Sequence, residues 1–364
     1  LKDLASIPAP PLQEDERRNK FIEILKKDNI TDFEVDEFNN VLLPLTRDLD
    51  LPVILISVNL DSAFDRSIKH EVIFSSDKAM GPGVGENVIA LAVLPVLYRI
   101  FNEQRSIFNY NILLAATSGG LGNGDFFGMR GLVKKYSNRL KGVISLRGID
   151  FGRVGYQSPT ISRQIITVRT INVKKEAITW FNNPICILSD FIHDLADFHK
   201  KHEGISNINF SFLRGGNDFD GITSLASLGL EVIAEEENAL FELEDGISTL
   251  LKQRIREENQ FNIEVISSVL PGGIDRNHEV LKQISMIYDW ISKNDNIPVK
   301  FRLSFSTSEA SIPMSQDILT VELGVTNGTN NRYLDDFIYL KPILSGVKQV
   351  IFLIYYLNQY LKEK

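Results

Sequence analysis

The sequence predicts an α/β protein: a mostly parallel sheet covered by helices on both faces, interrupted by an inserted α+β domain. Pro52–Val58 and Asn111–Thr117 (NILLAAT) are near-continuous apolar runs, as expected of strands buried on both faces. Such runs alternate with helical stretches through the first part of the chain, the pattern of a doubly covered sheet. The pattern then changes. From Ile161 the order becomes β-α-β-β-α-β over roughly 110 residues, a split βαβ, ferredoxin-like arrangement. The expected organisation is 1–157 for the first part of the main domain, 158–272 for the insertion and 273–364 for the second part.

Along the chain, Pro8-Ala9-Pro10-Pro11 stiffens the lead-in to an amphipathic surface helix at Gln13–Lys27, where Phe21, Ile22 and Leu25 fall at helical spacing. Phe33–Asn40 alternates, Val41–Leu45 resumes as a strand, and Glu71–Phe74 is a shorter one. Glu86–Asn102 reads as a helix kinked at Pro95. Phe126–Tyr136 reads as a helix and Gly142–Leu146 as a strand. In the insertion, Ile161–Ile171, Asn207–Leu213, Leu228–Ala234 and Phe261–Val269 are strands, with helices at Pro184–His202 and Asn238–Arg256. A helix from Asp275 to Ser292, strands at Phe301–Phe305 and Leu319–Leu323, and a helix from Asp336 to Lys362 close the chain.

Composition narrows the function classes. A net charge of −8 argues against a nucleic-acid surface, which needs a basic stripe. The longest apolar run, around Val88–Ile100, holds Pro95 and Arg99 and reads as a buried helix, so no membrane partner is expected. A single cysteine, Cys186, leaves no internal disulfide framework and fits a reducing compartment, so the expected location is cytoplasmic. Its apolar setting predicts a buried, inert thiol. No leader is recognisable.

The chemistry-bearing stretch is Met80–Ala92, MGPGVGENVIALA, read with Val53–Phe64, VILISVNLDSAF. Gly81, Gly83 and Gly85 let the backbone turn sharply, and Glu86-Asn87 then open an apolar helix. That is a loop delivering a carboxylate to a strand-end pocket; the plainer reading is an ordinary glycine-rich helix entry.

GPGVGENVIALA resembles the Gly-Pro-Gly-x-Gly-Asp-Asn signature of the two-zinc peptidases and deacylases, which include carboxypeptidases, tripeptidases, dipeptidases and acyl-amino-acid hydrolases. VNLDSAF resembles that family's His-x-Asp strand end, and TSGGLGNGDFFGMRG its Gly-Glu-Glu-Gly-Leu-Gly segment. ISLRG resembles its Ile-x-Ile-Asp-Gly strand, and NNRYLDDF its closing His-Thr-x-x-Glu stretch. The matches fall in family order across nearly the whole chain. The resemblance implies a zinc-peptidase-like fold, two zinc ions, amide hydrolysis, and an inserted lid that covers the substrate and often forms a homodimer contact.

Carried over one position at a time, the family's ligands are missing. Asn59 stands at the first His, and Asp61 keeps the place of the carboxylate that orients it. Glu86 replaces the bridging Asp. Ser118 occupies the catalytic Glu position and Gly119 the neighbouring ligand; Arg147 replaces the Asp of the Ile-x-Ile-Asp-Gly strand. The last His falls on Arg332, or on Asn331 with a one-residue slip. Arginine keeps its proton in a protein and repels a cation. Glu86, Arg147 and Arg332 together carry about +1, and adding Asp61 reaches only zero. No metal and no zinc cofactor are therefore expected. The lid matches are looser: Glu176 at a substrate-contacting His, Gly215-Gly216-Asn217-Asp218-Phe219-Asp220 at a Gly-Gly-x-x-x-Asn turn, and Glu231-Val232-Ile233 at an Asp-x-Arg.

Other candidates have plain readings. His193, His199 and His202 share a charged helix and read as solvated; Ser118 has no nearby histidine and reads as a turn serine. Glu235-Glu236-Glu237 reads as an acidic helix start, and Asp335-Asp336 as an N-cap. Arg147 and Arg332 can pair with Glu86 and Asp61, present a cationic floor to a carboxylate or phosphate, or swing out to solvent. The sequence thus points to a metal-free homologue without peptidase activity that binds a peptide, an amino-acid-like molecule or another small anion through Glu86, Arg147 and Arg332. Two alternatives stand beside it: an active peptidase or deacylase with a rebuilt site using Glu86 and Asp61, and a non-enzymatic structural or regulatory subunit.

Overall fold

The computed structural model describes residues 1–48, 50–171, 177–200, 204, 206–216, 218–219, 221 and 223–362. Glu176, His202, Asn217 and Asp220 lie outside the described residues. The chain divides into two compact units, Leu1–Ser158 with Gly272–Lys364, and Pro159–Pro271.

The first unit is built on a 9-stranded mixed sheet. At its centre Asn111–Thr117, Val53–Asn59, Leu140–Arg147 and Thr320–Gly324 lie side by side and parallel. Val53–Asn59 and Asn111–Thr117 are buried at every position, which is why they read as unbroken apolar runs. Val41–Pro44 adds antiparallel to one side and Arg153–Ser158 to the other. The helix Ile89–Glu103 packs on the central strands, and Glu279–Asn294 packs with Ile343–Tyr360. The core runs through Ile54, Ile56, Leu114, Ile144, Leu94, Ile284 and Leu353.

The strand register sets the polar chemistry. Asn59 lies opposite Thr117, Ser57 opposite Ser145, and Ser145 opposite Glu322. Side chains alternate faces with period two. One face of the central sheet therefore carries Ser57, Asn59, Thr117, Ser145, Arg147 and Glu322 toward the carboxyl ends of the strands. In open α/β sheets that end is where ligands bind.

The second unit is a 4-stranded antiparallel sheet in the order Ser206–Gly215, Leu225–Ala234, Thr160–Thr170, Asn259–Val269. Helices Pro184–His199 and Glu237–Lys252 pack on it around Ile166, Leu188, Phe191, Leu228 and Leu243. The order is the ferredoxin-like β-α-β-β-α-β arrangement.

Several elements differ from the sequence expectation. The helix Ile89–Glu103 runs through Pro95; the break lies at Glu86, whose φ −75° and ψ −131° interrupt a wide turn at Val84–Val88. Gly83, at φ 71°, supplies the left-handed residue that entry needs. The last helix starts at Ile343, and Phe337–Tyr339 is a strand paired antiparallel with Lys78–Met80, so Asp336 caps no helix. Arg153–Ser158, Lys78–Met80 and the short helices at Lys2–Ala5 and Ser311–Met314 are further elements that the sequence pattern did not signal. Val84–Glu103 is long and apolar enough to cross a membrane, but 72% of its apolar window is buried within the chain. Cys186 is half-buried rather than buried, and burial raises its thiol pKa.

Candidate functional site

Strand ends, the glycine-rich turn and the 327–336 loop enclose a cavity of about 180 Å³. Asn59, Glu86, Arg147 and Arg332 all line it, together with Glu322, Asn330, Thr307 and Ser308. Four sequence candidates are thus brought to one place. Asn59 is the last residue of its strand, and Arg147 the last of the neighbouring one. Gly120 leaves room for the Asn59 amide: a Cβ there would stand 2.0 Å from Asn59 Nδ2. Gly148 does the same for the Glu86 turn, since its Cβ would meet the Glu86 carbonyl oxygen at 1.6 Å.

Of the arrangements open to the arginines, pairing of Arg147 with Glu86 or Asp61 is not the one observed. Arg147 lies 3.4 Å from Asp150 and 3.7 Å from Glu322, not against Glu86 or Asp61. Arg153 shares both carboxylates, at 3.7 and 3.5 Å. Glu322, 3% exposed, therefore sits between two guanidiniums. Arg332 is exposed, adopts φ 60°, and its charge favours the ionised form of Glu86. Glu86 itself, 5% exposed, accepts from the Ala63 N–H at 3.0 Å. Burial nevertheless raises its pKa, opposed by the Ser62 hydroxyl, the Ala63 N–H and the charges of Arg17 and Arg332.

Arg17 is the cation that the sequence reading missed. It is 1% exposed, donating to the carbonyl of Ile7 at 2.5 and 3.1 Å and to that of Leu60 at 2.9 Å. Burial lowers its pKa to about 10, against the attraction of Glu86, Asp61 and Glu14. A signal existed: Arg17, Phe21 and Leu25 are spaced i, i+4, i+8, which puts Arg17 on the buried stripe. Asp61 is equally enclosed. Its Oδ2 accepts from the Leu121 N–H at 2.6 Å, while Oδ1 is buried without a hydrogen bond among the described residues. Burial, followed by the charge of Glu14, raises its pKa well above the ordinary value for an aspartate.

Ser118 and Gly119 turn away from this chemistry. Ser118 Oγ donates to the Phe38 carbonyl at 2.6 Å, and its N–H donates to Asn40 Oδ1 at 3.0 Å. Ser118 is a turn serine. Gly119 donates its N–H to Glu14. Asp336 holds the loop that carries Arg332, accepting from the N–H groups of Asn331 and Tyr333 at 3.0 and 3.1 Å. Asn331 stays in that loop and is not among the residues that line the cavity. In the second unit, Glu231 pairs with Arg163 at 2.6 Å, and His199 contacts Ser206.

Glu309 is a second missed group. The Thr117 hydroxyl donates to it, and the Ser57 and Ser145 hydroxyls face it from the same sheet surface. Complete burial raises its pKa from 4.5 to about 7, and the charge of Glu322 adds to the rise. Among the described residues, no three His, Cys, Asp or Glu side chains group as metal ligands would.

No family model and no curated protein sequence matches the chain. Solved structures do. A tripeptidase from Staphylococcus aureus superposes with a TM-score of 0.71 at 16% identity, over 98% of this chain and 96% of that one. A di-peptidase from Saccharomyces cerevisiae gives 0.74 at 11%, over 98% and 95%. A dinuclear metal binding peptidase of the M20 family from Bacillus subtilis gives 0.61 at 14%, over 98% and 96%. The chain has the two-zinc peptidase fold over almost its entire length.

Proposed function

We propose that this chain is a metal-free, hydrolytically silent relative of the two-zinc peptidases, whose strand-end cavity holds a small charged ligand of peptide or amino-acid type. The observation that carries this reading is the pair of guanidiniums, Arg147 and Arg332, lining the cavity with Glu86. Two zinc ions need anionic oxygens and neutral imidazoles. The donor set does not fit them: Asn59 is a weak neutral ligand, Gly119 has no side chain, and two arginines repel a cation. A single metal between Glu86 and Asp61 fares no better, because the charge of Arg17 already acts on both carboxylates. Ser118, bonded to Phe38, is no replacement for a general base.

The polar sheet face and the retained cavity favour binding over loss of all site function. The single cysteine supports a reducing, cytoplasmic setting. The edge strand Asn259–Val269 of the antiparallel unit leaves Ile263 and Val265 exposed, which supports self-association through that unit. Zinc-supplemented protein incubated with dipeptides and N-acyl amino acids tests the reading. No turnover above buffer is expected; chelator-sensitive hydrolysis would establish the rebuilt-enzyme alternative instead.

A further inference from the structure

The cavity differs from a simple anion site in one respect. Its wall carries two carboxylates, Glu86 and Glu322, as well as two guanidiniums, Arg147 and Arg332. Both carboxylates are nearly buried, at 5% and 3% exposure, so neither is diluted by solvent. Counting Glu322 brings the lining charge from about +1 to zero. An anion entering this space gains from the arginines but meets two negative neighbours. A cation meets the reverse.

We infer that the cavity takes a zwitterion, a free α-amino acid with its ammonium and carboxylate both ionised. This deepens the reading above and rests on it. A molecule that carries both charges within a few ångströms offsets both signs of the wall, and it enters without changing the net charge. The arginines have donors to give. Arg147 stands 3.4 Å or more from its acidic partners, beyond the 2.7–2.9 Å of a tight charge-assisted bond. Asn330 supplies an acceptor: its Oδ1 is buried and makes no hydrogen bond among the described residues. An ammonium group has three donors to offer such an oxygen and a carboxylate. Size agrees. A cavity of about 150 Å³ accommodates benzene, so about 180 Å³ suits a ligand of about six to eight non-hydrogen atoms, the size of a small amino acid.

Titration calorimetry of the full chain with L-alanine, propionate and L-alaninamide tests this, because the last two each lack one of the charges. L-Alanine is expected to bind saturably, and the other two about tenfold more weakly or worse, the loss of one charged hydrogen-bonding group. Arg332→Gln, at an exposed position, is expected to weaken L-alanine by about tenfold while the unliganded variant still unfolds in one cooperative transition. Propionate binding as tightly as L-alanine would overturn the zwitterion assignment and leave the broader anion reading standing. Failure of a panel of free L-amino acids to bind at millimolar concentration would also overturn it. Stoichiometric zinc with amide turnover would remove the underlying reading itself.

Discussion

The backbone N–H of Gly119 donates to Oε1 of Glu14 at 2.8 Å. The same oxygen accepts from the Leu12 N–H at 2.9 Å. Gly119 stands where a two-zinc peptidase is expected to place a metal ligand, and here the turn is tied instead to the start of the first long helix. Glu14→Ala leaves two amide donors without their acceptor, one of them buried. It is expected to cost about 3 kcal/mol in denaturant unfolding, and Glu14→Gln, which keeps a carbonyl acceptor, less than about half of that.

Arg17 is the central internal cation. It neutralises a set of carboxylates, Glu14, Asp61 and Glu86, that would otherwise be buried together. Arg17→Met removes the charge and keeps much of the volume. The Ile7 and Leu60 carbonyls would lose their donor and Glu86 a nearby positive charge, and the expected loss is about 3 kcal/mol. Equal stability of Arg17→Met and the parent by urea unfolding would refute this role.

The Glu309 carboxyl makes stability fall with rising pH. Its folded-state pKa of about 7 lies above the ordinary 4.5, so the folded chain holds this proton more tightly than the unfolded chain does. Below about pH 4.5 both states are protonated and Glu309 costs nothing. Between about 4.5 and 7 stability declines, and above 7 the full penalty, about 3 kcal/mol, is in place. Asp61, also raised, acts in the same direction. The groups facing Glu309 are Ser57, Thr117 and Ser145, with Glu322 and Asp61 as its charged neighbours. Glu309→Gln should flatten the pH profile of the melting temperature and stabilise the protein at pH 8. A steeper or unchanged profile would contradict this origin.

Fold and site were not equally legible in the sequence. The buried parallel strands announced themselves because burial on both faces leaves no room for polar residues, as in Val53–Asn59. The antiparallel unit announced itself through long alternating strands. Phe337–Tyr339 did not: three residues carry no period, and only pairing with Lys78–Met80 makes them a strand. At the cavity, motif position located Asn59, Glu86, Arg147 and Arg332, but not their partners. Glu322 was readable as the one charge inside a short buried strand. Arg17 was readable from its place on the stripe of Phe21 and Leu25. Glu309 was not, because it lies in a loop and only the folded chain sets it against Thr117.

The most direct measurement is the metal content of purified protein after equilibrium dialysis against zinc, read by plasma mass spectrometry with the melting temperature. Well under one zinc per chain and an unshifted melting temperature are expected, because the cavity is lined by the guanidiniums of Arg147 and Arg332, which repel a cation. One or two zinc ions per chain, removable by chelator with a fall in melting temperature, would contradict the account.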